Sequence, residues 1–438
     1  MDNDDDEQLR FAQLQEEEED DIEDMNMMDI AFLIAALAIV GAEEARRLLA
    51  ERRHDHRIYL VRAQLIDSAR GNTPWQRLYR SRNDRAFITT MGFSVDVFEL
   101  ILKSGFEERW NSTAIPREDV SERTVPRPHR RSLDAAGALG LVLHYLCSTM
   151  SDVSLQQIFA LIPSTVSRYN NFSLSILLKT LRRLPDASIV WPREQEEFEY
   201  LTELVVGRHS LLRGAFGSID GLNLPVQTSD DIEIENATYN GWLKEHFISS
   251  VIVFSSQGSI IECNLNAPGS WHDSRVAQPI YQKLLTDTPD GFFLVADTAF
   301  PRGTDRIHGK IRAPMKAGQR LPSDANELAD RMRFDRQLLS YRQTAEWGMR
   351  AIQGSFGRLR MPLQIGDAAG RGDLLEICMR LHNVRTRLVG INQIRSVYEP
   401  IWRDGDQAEI WDGFKDMMFS EQRARDRVSA YHIVAAFE

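Results

Sequence analysis

Apolar residues recur at helical spacing up to Pro192 and at strand-like spacing beyond it, so the pattern alone divides the chain into two kinds of structure. Eleven consecutive apolar residues at 30–40 follow Asp29, a candidate helix cap. The run is shorter than the roughly eighteen residues needed to cross a bilayer, and the acids before it do not make a signal peptide. It predicts a buried or partner-binding helix, continued through Glu43, Glu44, Ala45, Arg46 and Arg47. Residues 93–102 read as an amphipathic helix behind Ser94. Residues 112–132 read as a linker carrying Pro116, Pro126 and Pro128, and 135–150 as a core helix.

The stretch 151–184 is more informative. Ser151-Asp152-Val153-Ser154 caps a short helix at 155–161, Ile162-Pro163-Ser164 makes a turn, and a second helix runs over 165–184. On that helix Val166, Tyr169, Leu177, Leu181 and Leu184 share a stripe of about 120°. Arg168, Asn171, Ser175, Lys179 and Arg182 project from the opposite face. Two helices joined by a tight turn, the second with a basic outer face, have the layout of a helix-turn-helix, which a plain helical bundle also shows.

Beyond Pro192 strand-like pieces at 215–219 and 222–226 flank Asp220. A hairpin at 246–254 and 258–265 turns around Ser255-Ser256-Gln257-Gly258. Residues 273–285 read as a helix. The apolar run 292–296 reads as a fully buried strand ending in Asp297. A helix is expected near 323, capped through Asp324 and Glu327, then a long one over 335–358 containing Glu346. The whole is an acidic tail (1–28), a helical N-terminal domain (29–205), a mixed α/β domain (206–395) and a helical C-terminal extension (396–438).

The net charge of -12 belongs to the tail. Residues 1–24 hold thirteen acids against Arg10, which leaves the remaining chain neutral and its bases free to cluster. Arginines crowd 42–93 among acids, a pattern that suits a salt-bridged helical surface as well as a phosphate-binding stripe. Cys147, Cys263 and Cys378 lie far apart, which fits a reducing compartment and excludes a CxxC zinc site.

An unpaired acid at a buried strand end is costly, which singles out Asp220 and Asp297. With a third acid on a facing helix they would form a cage of oxygen ligands for magnesium or manganese. Two such ions about 3.5 to 4 Å apart serve in-line phosphoryl transfer. Spacing in sequence does not itself show that three acids converge.

Four motifs add to this. They are Ser218-Ile219-Asp220-Gly221, the block Asn266-Ala267-Pro268-Gly269-Ser270-Trp271-His272-Asp273-Ser274-Arg275-Val276, Leu294-Val295-Ala296-Asp297-Thr298-Ala299-Phe300-Pro301, and Leu381-His382-Asn383. Through them residues 218–383 resemble the nuclease domain of PIF/Harbinger transposases and their domesticated derivatives, a branch of the RNase H-like DDE enzymes. The resemblance implies an α/β RNase H-like nuclease domain, a mixed sheet flanked by helices, behind an all-α N-terminal region with the helix-turn-helix-like segment. It implies Asp220, Asp297 and Glu346 as catalytic residues and metal ligands for two divalent ions, Mg2+ or Mn2+. Counting forward from Phe334-Asp335 and Arg342 puts the third acid at Glu346. Counting back from Phe356-Gly357 puts it at Gln353, two helical turns later, which has no carboxylate.

The resemblance further implies cutting of DNA at transposon terminal repeats, nuclear action, a Myb-like DNA-binding companion, no membrane association, and room for a homo-oligomer. A domesticated DNA-binding or scaffold protein without turnover is the competing implication, and a helix-turn-helix regulator with an accessory α/β domain a third. His272 and Asp273 are candidates for the second shell of the metal site, Asp273 also for a helix cap helped by Ser270. Arg168, Asn171, Lys179, Arg182 and Lys244 are the candidate DNA contacts. Trp271 and Trp347 read as core.

Overall fold

The computed structural model describes residues 30–49 except 33, 61, 64–116, 125–241, 243–300, 307, 309–315 and 324–399. The acidic tail 1–28 and residues 400–438 of the expected C-terminal extension lie outside the described residues. The chain divides into two units, Met1–Val61 and Arg62–Glu438. In the first, the described residues form helix α1, at 30–32 and 34–49. Ile30, Phe32, Ile34, Leu37, Ile39 and Val40 are exposed on it, so of the two expectations for this run, burial or partner binding, burial within this unit does not occur.

The second unit begins with helices α2 (Pro74–Ser81), α3 (Asp84–Met91), α4 (Val95–Ile101), α5 (Glu107–Ser112) and α6 (Ala135–Cys147). Thr73, Asn83, Ser94 and Asp134 each accept a backbone N–H at the start of a helix, which fixes where four of them begin. Helix α6 is apolar all round and buried along nearly its whole length. The pair at 152–181 is α7 (Asp152–Phe159) and α8 (Pro163–Leu181). The turn between them is made by Ala160 in the left-handed region, at φ 51°. Pro163 opens α8 rather than forming the turn, since its missing N–H is harmless at a first helical position. Helix α9 (Gln195–Val206) then leads into the sheet.

The remaining elements are β1 (Ala215–Pro225), α10 (Ile232–Thr238), β2 (Tyr239–Asn240), β3 (Glu245–Ser255), β4 (Ile260–Pro268), α11 (Asp273–Val276), α12 (Gln278–Thr286), β5 (Phe293–Val295), β6 (Ile311–Arg312), α13 (Ala325–Ser355), α14 (Ala368–Val384) and α15 (Gln393–Tyr398). The strands make one mixed sheet in the order β2-β3-β1-β5-β6, with β4 also paired to β3. β1, β3 and β4 run antiparallel to their neighbours among themselves, whereas β1, β5 and β6 run parallel. Ile248, Ile252 and Phe254 of β3 enter one core, while Val251 and Val253 enter the other. Both faces are therefore covered, which is why β3 and β5 read as continuous apolar runs instead of alternating ones.

Three expectations change here. The two pieces around Asp220 are a single strand, because β3 pairs across them without a break, Asp220 opposite Ile252 and Gly221 opposite Val251. Asp220 thus lies inside β1, not at its end. Residues 273–285 form two helices meeting at Ala277, where Pro279 enters the first turn of α12. The two helices expected from 323 to 358 are one helix of 31 residues, α13, capped by Asp324. No proline or glycine interrupts 325–347, so Phe334-Asp335 carries the helix through.

Candidate active site

The site is built where β1 passes beneath α13. The Thr344 hydroxyl donates to Ser218 Oγ at 2.7 Å and ties the helix to the strand. Gly348 lets α13 come this close: a Cβ there would lie 2.5 Å from the ring of Phe254 on β3. Side-chain alternation puts Asp220 on the same face of β1 as Ser218, under the turn of α13 that holds Arg342 and Glu346.

Asp220 is half-buried and its Oδ1 accepts the Gly221 N–H at 2.9 Å. Burial pushes its carboxyl up to about 6, against an ordinary 3.8. The Gly221 N–H opposes the shift, the charges of Asp297 and Asp273 add to it, and Arg342 opposes it. Asp297 follows β5, and its Oδ1 accepts the Ala299 N–H at 2.6 Å.

Asp273, a candidate for the surroundings of the site, lies close enough to add its charge to that of Asp220. His272 caps α11, its Nδ1 accepting the Ser274 N–H at 3.3 Å, so Asp273 is released from the capping role expected of it. Its carboxylate packs against Gly221, where a Cβ would lie 2.6 Å from Oδ2. Burial raises its pKa, the neighbouring His272 opposing and Asp297 reinforcing the shift. The available signal was Gly221 itself, since a glycine inside a strand often marks a close approach.

Glu346 is held differently. Arg342 Nη2 donates to its Oε1 at 2.6 Å, and Arg350 lies 3.9 Å from its Oε2. Among the described residues no group of three or more His, Cys, Asp or Glu side chains is arranged to hold a metal ion. Asp220, Asp297 and Asp273 are in electrostatic contact, and Glu346 is engaged by arginines. The carboxylates offer hard oxygen donors of the kind a divalent cation takes, but among the described residues they are not grouped around one position.

Residues 219–383 match the family model described as DDE superfamily endonuclease. No curated protein and no solved structure matches the chain. The DDE endonuclease region spans all of β1 from Ile219 onward, the four acids just described, and α13. It ends at Asn383, whose role in the fold is structural. The Asn383 Oδ1 accepts the Ile260 N–H at 2.7 Å, and its Nδ2 donates to the Ile260 carbonyl at 2.8 Å. One side chain thus satisfies both backbone groups at the start of β4. His382 beside it bonds the Gly258 carbonyl through Nε2, at 3.0 Å.

The other candidates separate by what they touch. Arg182 makes a double ion pair with Glu376 of α14, at 2.9 and 2.6 Å, so it is committed to the DDE endonuclease region and does not stand free for DNA. Arg168 is half-buried and Asn171 and Lys179 are exposed along α8. Lys244 is exposed in the turn before β3, at φ 58°. Trp271 is half-buried beneath Arg275, whose guanidinium lies 3.8 Å from the ring centre. Trp347 packs against the core.

Proposed function

We propose that the protein is a divalent-metal-dependent DNA endonuclease of the transposase type, acting at transposon terminal repeats through Asp220, Asp297 and Glu346. The observation that supports this is the raised carboxyl of Asp220 inside the matched region, held at about 6 by burial and by the charges of Asp297 and Asp273. A cation relieves that repulsion. The strand order, in which three antiparallel strands are followed by two parallel ones, suits an RNase H-like nuclease domain. When bound, the metal supplies Lewis acidity at a phosphodiester and an ionised water or 3′ hydroxyl. Asp220 and Asp297 would hold it from β1 and the end of β5, with Asp273 supporting from α11, and Glu346 would be available to it only when released from Arg342.

DNA approaches over the cations of α8 and Lys244, a layout consistent with the helix-turn-helix of the sequence pattern. A nuclear location and a Myb-like companion that delivers the terminal repeats complete the proposal. The test is cleavage of terminal-repeat duplex in Mg2+ or Mn2+ by the full chain with that companion. Cutting by the native protein that disappears in Asp220→Ala and falls at least tenfold, about 1.4 kcal/mol, in Glu346→Gln supports the site; equal cutting by all three refutes it. The domesticated alternative draws on the hold of Arg342 on Glu346, at 2.6 Å, and it predicts DNA binding without cutting by any of them.

A further inference from the structure

A cavity of about 530 Å³ opens between α8 and the chain that follows α5, away from the acidic site. Arg109, Arg168 and Lys179 line it, and no carboxylate does among the described residues. Neither the Arg168 nor the Lys179 side chain makes a hydrogen bond or ion pair among the described residues. Arg109 Nη1 donates to the Gly105 carbonyl at 2.8 Å and reaches Thr180 Oγ1 at 3.4 Å, which anchors the guanidinium without neutralising it. Three like charges around one cavity repel one another, and an anion between them removes the cost. The wall beneath is apolar, made of the buried Phe172 and Ile176, and the exposed amide of Asn171 stands beside it. A lone phosphate would use the cations and leave the apolar wall empty. The volume lies within the range of small-molecule sites, roughly 300–1,000 Å³.

We propose that this cavity is a pocket for a single nucleotide, its phosphate on Arg109, Arg168 and Lys179, its base against Phe172 and Ile176 with Asn171 at the base edge. The occupant is a nucleotide free of a duplex, either an unpaired one in DNA or a mononucleotide. The DNA form deepens the proposed function, because it would hold one unpaired residue of the substrate while the duplex lies over the acids. It adds Arg109 to the anion contacts and assigns α8 a defined pocket instead of a diffuse basic face.

The experiment is fluorescence anisotropy with the full chain in EDTA, so that its outcome is independent of whether the protein cuts DNA. The probes are a 5′-phosphorylated duplex with a three-nucleotide single-stranded overhang, its blunt counterpart, and thymidine monophosphate as competitor. Arg168→Ala/Lys179→Ala removes two cations, and Asn171→Trp fills the cavity while leaving all three. Both variants should lose about tenfold in affinity for the overhang duplex and under about threefold for the blunt one. Competition by the monophosphate that is lost in both variants, without an overhang preference, supports the pocket with the mononucleotide as its occupant. Equal losses on the two duplexes without competition, or native affinity for the overhang in Asn171→Trp, overturns the proposal.

Discussion

Arg342 donates to Glu346 at 2.6 Å, one helical turn away on α13, while its charge also acts on Asp220 across the gap to β1. One guanidinium therefore stands among the very carboxylates that the proposed function assigns to a cation. It offsets part of their repulsion and keeps Glu346 turned to its own helix.

Replacing that guanidinium should favour the metal. In Arg342→Met, at pH 8 where Asp220 is ionised, Mn2+ affinity should rise on the order of tenfold, the weight of about 1.4 kcal/mol. The metal-free protein should lose less than about 1 kcal/mol, since the pair is partly exposed. Titration calorimetry reads the first and urea unfolding the second. A fall in affinity would mean that Arg342 positions Glu346 as a ligand.

Asp220 should cost the metal-free fold stability at neutral pH. Its pKa is raised from 3.8 to about 6 on folding, so the folded state binds the proton more tightly. The associated stability is fully present below 3.8 and is lost as pH rises through about 6, a difference of about 3 kcal/mol at most. Asp220→Asn should therefore be more stable than the native protein at pH 7.5 without metal, and the gap should close by pH 4. Urea unfolding of both proteins at the two pH values measures it. A gap that does not change with pH contradicts the burial of this charge.

Two glycines should respond unequally to the same methyl group. Gly221→Ala meets the end of the Asp273 side chain, which can rotate away, so stability should fall by under about 1 kcal/mol while Mn2+ affinity drops. Gly348→Ala meets the buried ring of Phe254, which cannot, and should cost about 1–3 kcal/mol. Thermal unfolding and calorimetry on the pair separate the roles.

Arg182 and Lys179 should also diverge. Arg182→Ala breaks a half-exposed ion pair with Glu376 and should cost about 0–1 kcal/mol with DNA affinity unchanged. Lys179→Ala should leave stability alone and weaken binding of DNA that carries a single-stranded overhang, with a salt slope lower by about one. Gel-shift titrations across ionic strength give both slopes.

The elements with a strong apolar pattern were legible in the chain. The β3–β4 hairpin, the buried β5 and the core helix α6 all fall where periodicity and turn residues put them. What the pattern missed was set by tertiary partners. Asp220 and Gly221 read as a gap between two strand pieces, yet the ladder to β3 carries one strand through them. Asp273 reads either as a cap or as a neighbour of the metal site; His272 takes the cap, and only the fold brings Asp273 to Gly221. Arg182 reads as a free cation on an outer face because Glu376 is 194 residues away in sequence. Glu346 lies on the helix where the pattern put it, while its attachment to Arg342 depends on rotamers that no spacing reports.

Mn2+ titration calorimetry at pH 8 tests directly whether Asp220 and Asp297 hold a divalent cation. The native chain should bind the ion, Asp220→Asn and Asp297→Asn should each abolish binding, and Glu346→Gln should weaken it. Unchanged Mn2+ affinity in Asp220→Asn and Asp297→Asn would contradict the account.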